Sequence, residues 1–183
     1  MTSHGNDDEP HEYSSPACSM HEFDLAGERS NSRVDAASRI IAASPAALYR
    51  AHLDPQALMS WLPPKGMKGR IEEFDPRVGG TYRMVLTYEQ PGHAAEGKTT
   101  EHSDTVAGRF VELIQDKLIA QVVQFDSDDP AFAGEMKITW AFTPVSGGTH
   151  VMVRCENVPS GIRPEDHQVG LASSLENLAQ YCE

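Results

Sequence analysis

Apolar and polar residues alternate along much of the chain, and this alternation predicts β-strands. Successive side chains of a strand point to opposite faces, so a period of two predicts one inward and one outward set. The clearest alternation covers residues 135–143, and a second clear case covers residues 82–89. The predicted inward sets are Met136, Ile138, Trp140 and Phe142 in the first and Tyr82, Met84, Leu86 and Tyr88 in the second.

Weaker alternation predicts five further strands, at 34–42, 67–74, 105–114, 117–125 and 151–155. In the first of them the alternating residues are Val34, Ala36, Ser38 and Ile40. Turn-forming residues separate most consecutive strands, as at Gln115-Asp116 and Ser146-Gly147-Gly148. Strands joined by such short turns pair as hairpins, which predicts an antiparallel sheet.

Apolar residues at helical spacing predict one long helix at Arg163–Glu183. Leu171, Leu175 and Leu178 recur there at steps of four and three, which gives a single apolar stripe. Two short helices are predicted at 46–53 and 56–62. Each is preceded by a helix start signal, a capping residue followed by a proline at the first helical position, in Ser44-Pro45 and Asp54-Pro55.

The predicted order is one strand, two short helices, about six strands and one long helix. This order indicates an α+β fold in which an antiparallel sheet of about six to seven strands wraps on the C-terminal helix. The helix must lay its apolar stripe on the sheet. The space between them is either filled as core or left as a ligand cavity, and the residues alone leave both readings open.

Composition divides the chain and excludes several classes of function. Residues 1–32 carry seven acidic residues against one arginine, half of the total charge of −12, and predict a disordered acidic tail before a domain at 33–183. The negative charge disfavours nucleic acid and anionic membranes as partners. No run approaches the ~18 apolar residues of a membrane span. Three cysteines without a CxxC pair favour a reducing, cytoplasmic location.

Five stretches in this order resemble the helix-grip fold of the START-like (SRPBCC) superfamily. Within it, the chain is similar to the branch related to the activator of the heat-shock-protein-90 ATPase. The family hairpin often has proline where this chain has Gln115, a difference confined to a turn. The stretches are SRIIAASPAALYRAHLDPQALMSWLPP (38–64), FDPRVGGTYRM (74–84), VAGRFVELIQDKLI (106–119), TPVSGGTHVMV (143–153) and GLASSLENLAQY (170–181).

The resemblance implies a cavity between the concave sheet face and the long helix. It also implies roles ranging from ligand binding to chaperone cofactor, and a link to the stress response. The predicted ligand-binding residues are the large inward side chains of two strands, the tryptophan closing the second short helix and the leucines of the long helix. They are Trp61, Tyr82, Met84, Leu86, Met136, Ile138, Trp140, Phe142, Leu171, Leu175 and Leu178.

Residues suited to catalysis are scattered and form no triad or metal-ligand spacing. His167 is placed best, in the first turn of the long helix near one end of the cavity. We therefore predict no catalytic residue, metal or cofactor. The leading hypothesis is a binder of a small apolar or amphipathic molecule, followed by a chaperone-cofactor-like interaction module and then by a cavity enzyme such as a cyclase or hydrolase. Either a monomer or a homodimer agrees with the sequence. The remaining catalytic candidates are His52, His93, His102, His150, Glu96, Glu101, Asp104 and Glu112.

Overall fold

Seven strands form one antiparallel sheet in the computed structural model, which describes residues 33–64, 66–88 and 103–183. The strands are β1 (Val34–Ile41), β2 (Met67–Phe74), β3 (Thr81–Tyr88), β4 (Ser103–Ile114), β5 (Leu118–Phe125), β6 (Met136–Val145) and β7 (Gly148–Glu156). Their order across the sheet is β1-β7-β6-β5-β4-β3-β2. Consecutive strands from β2 to β7 are neighbours, so the predicted hairpins are confirmed. The predicted acidic tail, residues 1–32, lies outside the described residues.

The described residues also form three α-helices, α1 (Pro45–Leu53), α2 (Pro55–Trp61) and α3 (Pro164–Cys182). A 3-10 turn lies at Pro130–Phe132. The predicted caps are confirmed, because Ser44 accepts a hydrogen bond from the Ala47 amide at 3.2 Å and Asp54 accepts from two amides of α2. Each short helix has its proline at the first helical position, as predicted, and α2 ends at Trp61, one residue before the predicted end. The α+β class with two short helices after β1 is therefore confirmed.

The helices divide the concave face of the sheet between them. α3 lies mainly along β1 and also contacts α1 and α2, whereas α1 contacts β6 and α2 contacts β2. Asn177 of α3 donates a hydrogen bond to the Pro63 carbonyl at 3.2 Å, which ties the end of α2 to α3. Consequently α1 and α2, rather than α3, cover the middle of the sheet. None of the helices described is long and apolar enough to cross a membrane.

The alternating residues of β1 lie on its exposed face, away from α3. Val34 is 45% exposed and Ile40 is 60% exposed, whereas Ile41 is fully buried. The opposite face carries charges that pair with α3: Asp35 contacts His167 and Arg39 contacts Glu176. The face of β1 toward α3 therefore combines these two polar contacts with Ala37 and Ile41, which belong to the core, and the predicted alternating residues lie on the other face.

Candidate functional site

A small cavity lies between the sheet and the two short helices. Its volume is about 20 Å³, enough for roughly one water molecule and far below the ~300 Å³ at which ligand pockets begin. Residues from α1, α2 and strands β2 to β6 surround it, and none of them carries a formal charge at neutral pH. They are His52, Leu58, Trp61, Leu62, Phe74, Tyr82, Met84, Phe110, Ile119, Gln121 and Trp140.

Four of the eleven predicted ligand-binding residues lie on this wall: Trp61, Tyr82, Met84 and Trp140. The other seven lie away from it. Met136, Phe142 and the three leucines of α3 are buried in the surrounding core, and Ile138 and Leu86 are half-buried. The leucines are displaced from the cavity because α3 packs along β1, where Leu178 is fully buried.

Strands β4 and β5 contribute lining residues that were not predicted. Phe110, Ile119 and Gln121 all point to the concave face. The alternation of β4 does not reveal which of its side chains point inward, because a β-bulge lies between Phe110 and Glu112 and leaves Glu112 exposed. An extra residue in one strand reverses which side chains face inward from that point on. On β5, the pairing with β6 identifies the inward side chains. Ile119 lies opposite Trp140, which points inward, so Ile119 points inward as well.

His52 is a buried polar residue of the cavity wall. It lies on α1, is 5% exposed, and its Nδ1 is 2.8 Å from the carbonyl oxygen of Leu48. A carbonyl oxygen only accepts, so Nδ1 carries the proton and Nε2 carries the lone pair. Nε2 is buried and has no hydrogen-bond partner among the described residues. Burial lowers the pKa of His52 to about 4, so its ring is neutral at physiological pH.

Three aromatic rings hold the imidazole of His52 in place. Its centroid is 4.6 Å from that of Trp61, 4.7 Å from Trp140 and 5.2 Å from Phe142. Trp61 is anchored in turn, since its Nε1 donates to the Ala51 carbonyl at 2.9 Å and thereby joins α2 to α1. The imidazole is therefore fixed by one hydrogen bond and by packing on several sides.

Tyr82 and Gln121 add two more polar side chains to an otherwise apolar wall. The Tyr82 ring lies directly over Gly108 of β4, because a Cβ atom there would be 2.2 Å from the ring carbon Cζ. Burial raises the pKa of the Tyr82 phenol, so the phenol is neutral and retains its proton. Gln121 contributes a half-buried amide. The wall thus combines five aromatic rings with three neutral polar groups.

His167 lies outside the cavity wall, in an ion-pair cluster that joins α3 to β1. Its Nδ1 is 2.7 Å from the Asp35 carboxylate, which also binds the Arg33 guanidinium at 2.5 Å. Arg33 further donates to the Ile162 carbonyl just before α3. The hydrogen bond from Arg33, aided by the one from His167, lowers the pKa of Asp35. These contacts place His167 between α3 and β1, where it joins the two elements, and not at the cavity as predicted.

Within the described residues, the other catalytic candidates form no common site. Asp104 is buried on β4, whereas His150 on β7 is half-buried and lies opposite the exposed Ile40. No group of three or more His, Cys, Asp or Glu residues that could hold a metal occurs in the described part of the chain. The remaining candidates lie outside it: His93, Glu96, Glu101 and His102.

Comparison with solved structures supports the fold over most of the chain. A protein from Chromobacterium violaceum is 33% identical, with a TM-score of 0.72 over 82% of this chain and 96% of that chain. An AHSA1 protein from Silicibacter pomeroyi is 18% identical, with a TM-score of 0.64 over 81% and 96% of the two chains. An AHSA1-like protein from Aeromonas hydrophila is 17% identical, with a TM-score of 0.59 over 81% and 91%. The two last likenesses show the fold alone.

Comparison with curated proteins finds no match. A family model described as "Activator of Hsp90 ATPase homolog 1-like protein" matches residues 42–183, from the end of β1 to the end of α3. This range contains the cavity and all its lining residues. The chain therefore belongs to the activator of Hsp90 ATPase homolog 1-like family, the branch of the START-like superfamily that its sequence resembles.

Proposed function

We propose that the protein binds a small, mainly apolar molecule in the cavity beneath α1 and α2. The observation that carries this proposal is the make-up of the wall, in which aromatic and aliphatic side chains surround three neutral polar groups. Small-molecule sites have this composition: apolar surface supplies affinity, and a few polar groups fix orientation. The odd number of cysteines supports a reducing compartment such as the cytoplasm as the place of action.

A ligand must enlarge the cavity, since about 20 Å³ admits no organic molecule. The side chains suited to move are Leu58 and Leu62 at α2 and Met84 on β3. α2 has only seven residues, and Leu62 just beyond it is half-buried. Met84 has an unbranched side chain that adapts to irregular spaces. We therefore expect binding to shift α2 and Met84, while α3 stays on β1.

Ligand binding is tested by native mass spectrometry and by thermal unfolding with a panel of small aromatic and aliphatic compounds. A ligand present at 100 times its Kd stabilises the folded state by about 2.7 kcal/mol, which raises Tm by roughly 5 to 10 °C in a domain of this size. Methyl resonances of Met84 should shift on binding, whereas those of Met152, exposed on β7, should not.

A matched pair of tryptophan substitutions locates the site. Leu58→Trp places an indole in the cavity and should abolish the Tm rise. Val169→Trp adds the same group to α3 at a position that is 70% exposed, and should preserve the rise. Equal responses of the two variants would place binding elsewhere, and no response of the unmodified protein to any compound would refute the proposal.

A role as a chaperone cofactor is the second candidate, because the family is named after an activator of the Hsp90 ATPase. The net charge of −12 would favour a basic surface on such a partner. Pull-down and ATPase assays with the Hsp90 of the same organism test this candidate. Saturable binding with stimulated ATP hydrolysis would support it, and the absence of both would exclude it.

A further inference from the structure

We infer that the ligand of this cavity is a neutral aromatic molecule with a hydroxyl or N–H group, and that His52 Nε2 accepts the hydrogen bond from that group. The inference rests on the proposed ligand site and specifies the chemistry it recognises. It starts from one atom, a buried ring nitrogen of a residue that lines the cavity, with no partner among the described residues.

The contact made by Nδ1 determines whether Nε2, on the other side of the imidazole, donates or accepts a hydrogen bond. The 2.8 Å contact with the Leu48 carbonyl requires a proton on Nδ1, so the neutral ring presents only a lone pair at Nε2. An unpaired buried acceptor is unfavourable, and a single water molecule is the most that the cavity holds. A ligand that fills the cavity must donate a hydrogen bond to Nε2 or leave it unpaired.

The charge of the ligand is limited by the rest of the wall. A carboxylate or phosphate would bring acceptors to a nitrogen that is itself an acceptor. An ammonium group could donate to Nε2, but the wall contains no Asp or Glu to compensate for burying its charge. A neutral donor meets both conditions.

The shape of the ligand is indicated by the aromatic side chains around the cavity. The ring centroids of Trp61 and Trp140 are 5.7 Å apart and their ring planes meet at 85°. The imidazole of His52 lies beside both rings. Phe74, Tyr82 and Phe110 form a second aromatic group, with centroids 5.3 to 6.4 Å apart. Flat rings stack or meet edge to face on such surfaces. An aromatic ring bearing a hydroxyl or N–H group therefore combines both features of the wall.

The test uses two pairs of probes that differ in the donor and little in shape: phenol with toluene, and indole with indene. Their Kd values are measured by NMR titration for the unmodified protein and for His52→Phe, which retains a planar ring and removes Nε2. Loss of the acceptor should change the phenol-to-toluene affinity ratio on the order of tenfold in favour of toluene, with a similar change for indole and indene.

A long-range ¹H–¹⁵N correlation spectrum tests the inference even if His52→Phe fails to fold. It should show the Nδ1-protonated tautomer, and the Nε2 resonance should respond to phenol but not to toluene. An unchanged affinity ratio in His52→Phe, or a proton on Nε2, would overturn the inference while leaving binding of apolar molecules intact. If none of the four probes nor any compound of the thermal panel binds, the ligand site itself is refuted, and the inference with it.

Discussion

Replacing Gly108 with alanine measures how tightly the cavity wall is packed. A Cβ atom at this position would lie 2.2 Å from Cζ and 2.5 Å from the hydroxyl oxygen of Tyr82. Tyr82 is 3% exposed, and the rings of Phe110 and Phe74 lie 5.3 and 6.4 Å from it. The tyrosine ring cannot turn into solvent from there, so the clash must be relieved by displacing the core side chains around it.

Two effects of opposite sign set the change in the free energy of unfolding that Gly108→Ala causes. Overpacking a well-filled core costs about 1–3 kcal/mol, whereas alanine in place of glycine recovers roughly 0.5–1 kcal/mol of backbone entropy. We expect Gly108→Ala to lower the free energy of unfolding by about 0.5–2 kcal/mol and Tm by about 2–6 °C. Urea unfolding followed by tryptophan fluorescence gives the first value, and scanning calorimetry gives the second.

Two further variants isolate the cause. Gly170→Ala is the matched control, because a Cβ at this position in α3 would meet no atom within 4 Å, and it should stabilise the protein by about 0.5–1 kcal/mol. In a Tyr82→Leu background the cost of Gly108→Ala should vanish, since the clashing ring is absent. If the cost is the same in both backgrounds, or if Gly108→Ala does not destabilise, this account of the wall is wrong.

Three other predictions concern parts of the chain outside the cavity wall. Folding lowers the pKa of Asp35, so its carboxylate stabilises the protein above pH 3.8 and less as the pH falls below that value; urea midpoints of Asp35→Asn should therefore approach those of the unmodified protein in acid. Asp54→Ala removes hydrogen bonds of 2.8 and 2.9 Å to two amides of α2 and should cost about 1 kcal/mol, read from urea unfolding. Burial raises the pKa of the Cys155 thiol to about 12, so peptide mapping should find it labelled by thiol reagents only under unfolding conditions.

Features set by short segments of the chain were predictable from sequence. The starts of α1 and α2 depend on Ser44-Pro45 and Asp54-Pro55, where one side chain satisfies the free amides of the helix that follows. The inward set of β6 was equally clear, since Met136, Trp140 and Phe142 are all buried. Local chemistry decides these features, so no knowledge of distant contacts is needed.

Features that depend on tertiary packing were not predictable. Sequence does not tell which helix covers which strands, and the leucines of α3 were consequently assigned to the cavity that α1 and α2 cover. The bulge after Phe110 obscured the parity of β4. The importance of His52 was hidden as well, because it arises from a carbonyl on one side of the ring and an unpartnered nitrogen on the other. Only the three-dimensional arrangement of α1, α2 and β6 brings these together.

The pairing of β1 with β7 also bears on the order in which the molecule assembles during synthesis. Val34 lies opposite Glu156, so the first strand of the domain pairs with a strand made more than a hundred residues later. The hairpins from β2 to β6 need only nearby partners, whereas closing so long a loop slows folding. α1 and α2 follow β1 directly along the chain. We expect them to pack on the sheet only once β7 has left the ribosome and β1 can pair with it. The cavity would then be enclosed near the end of folding, over hairpins that are already in place.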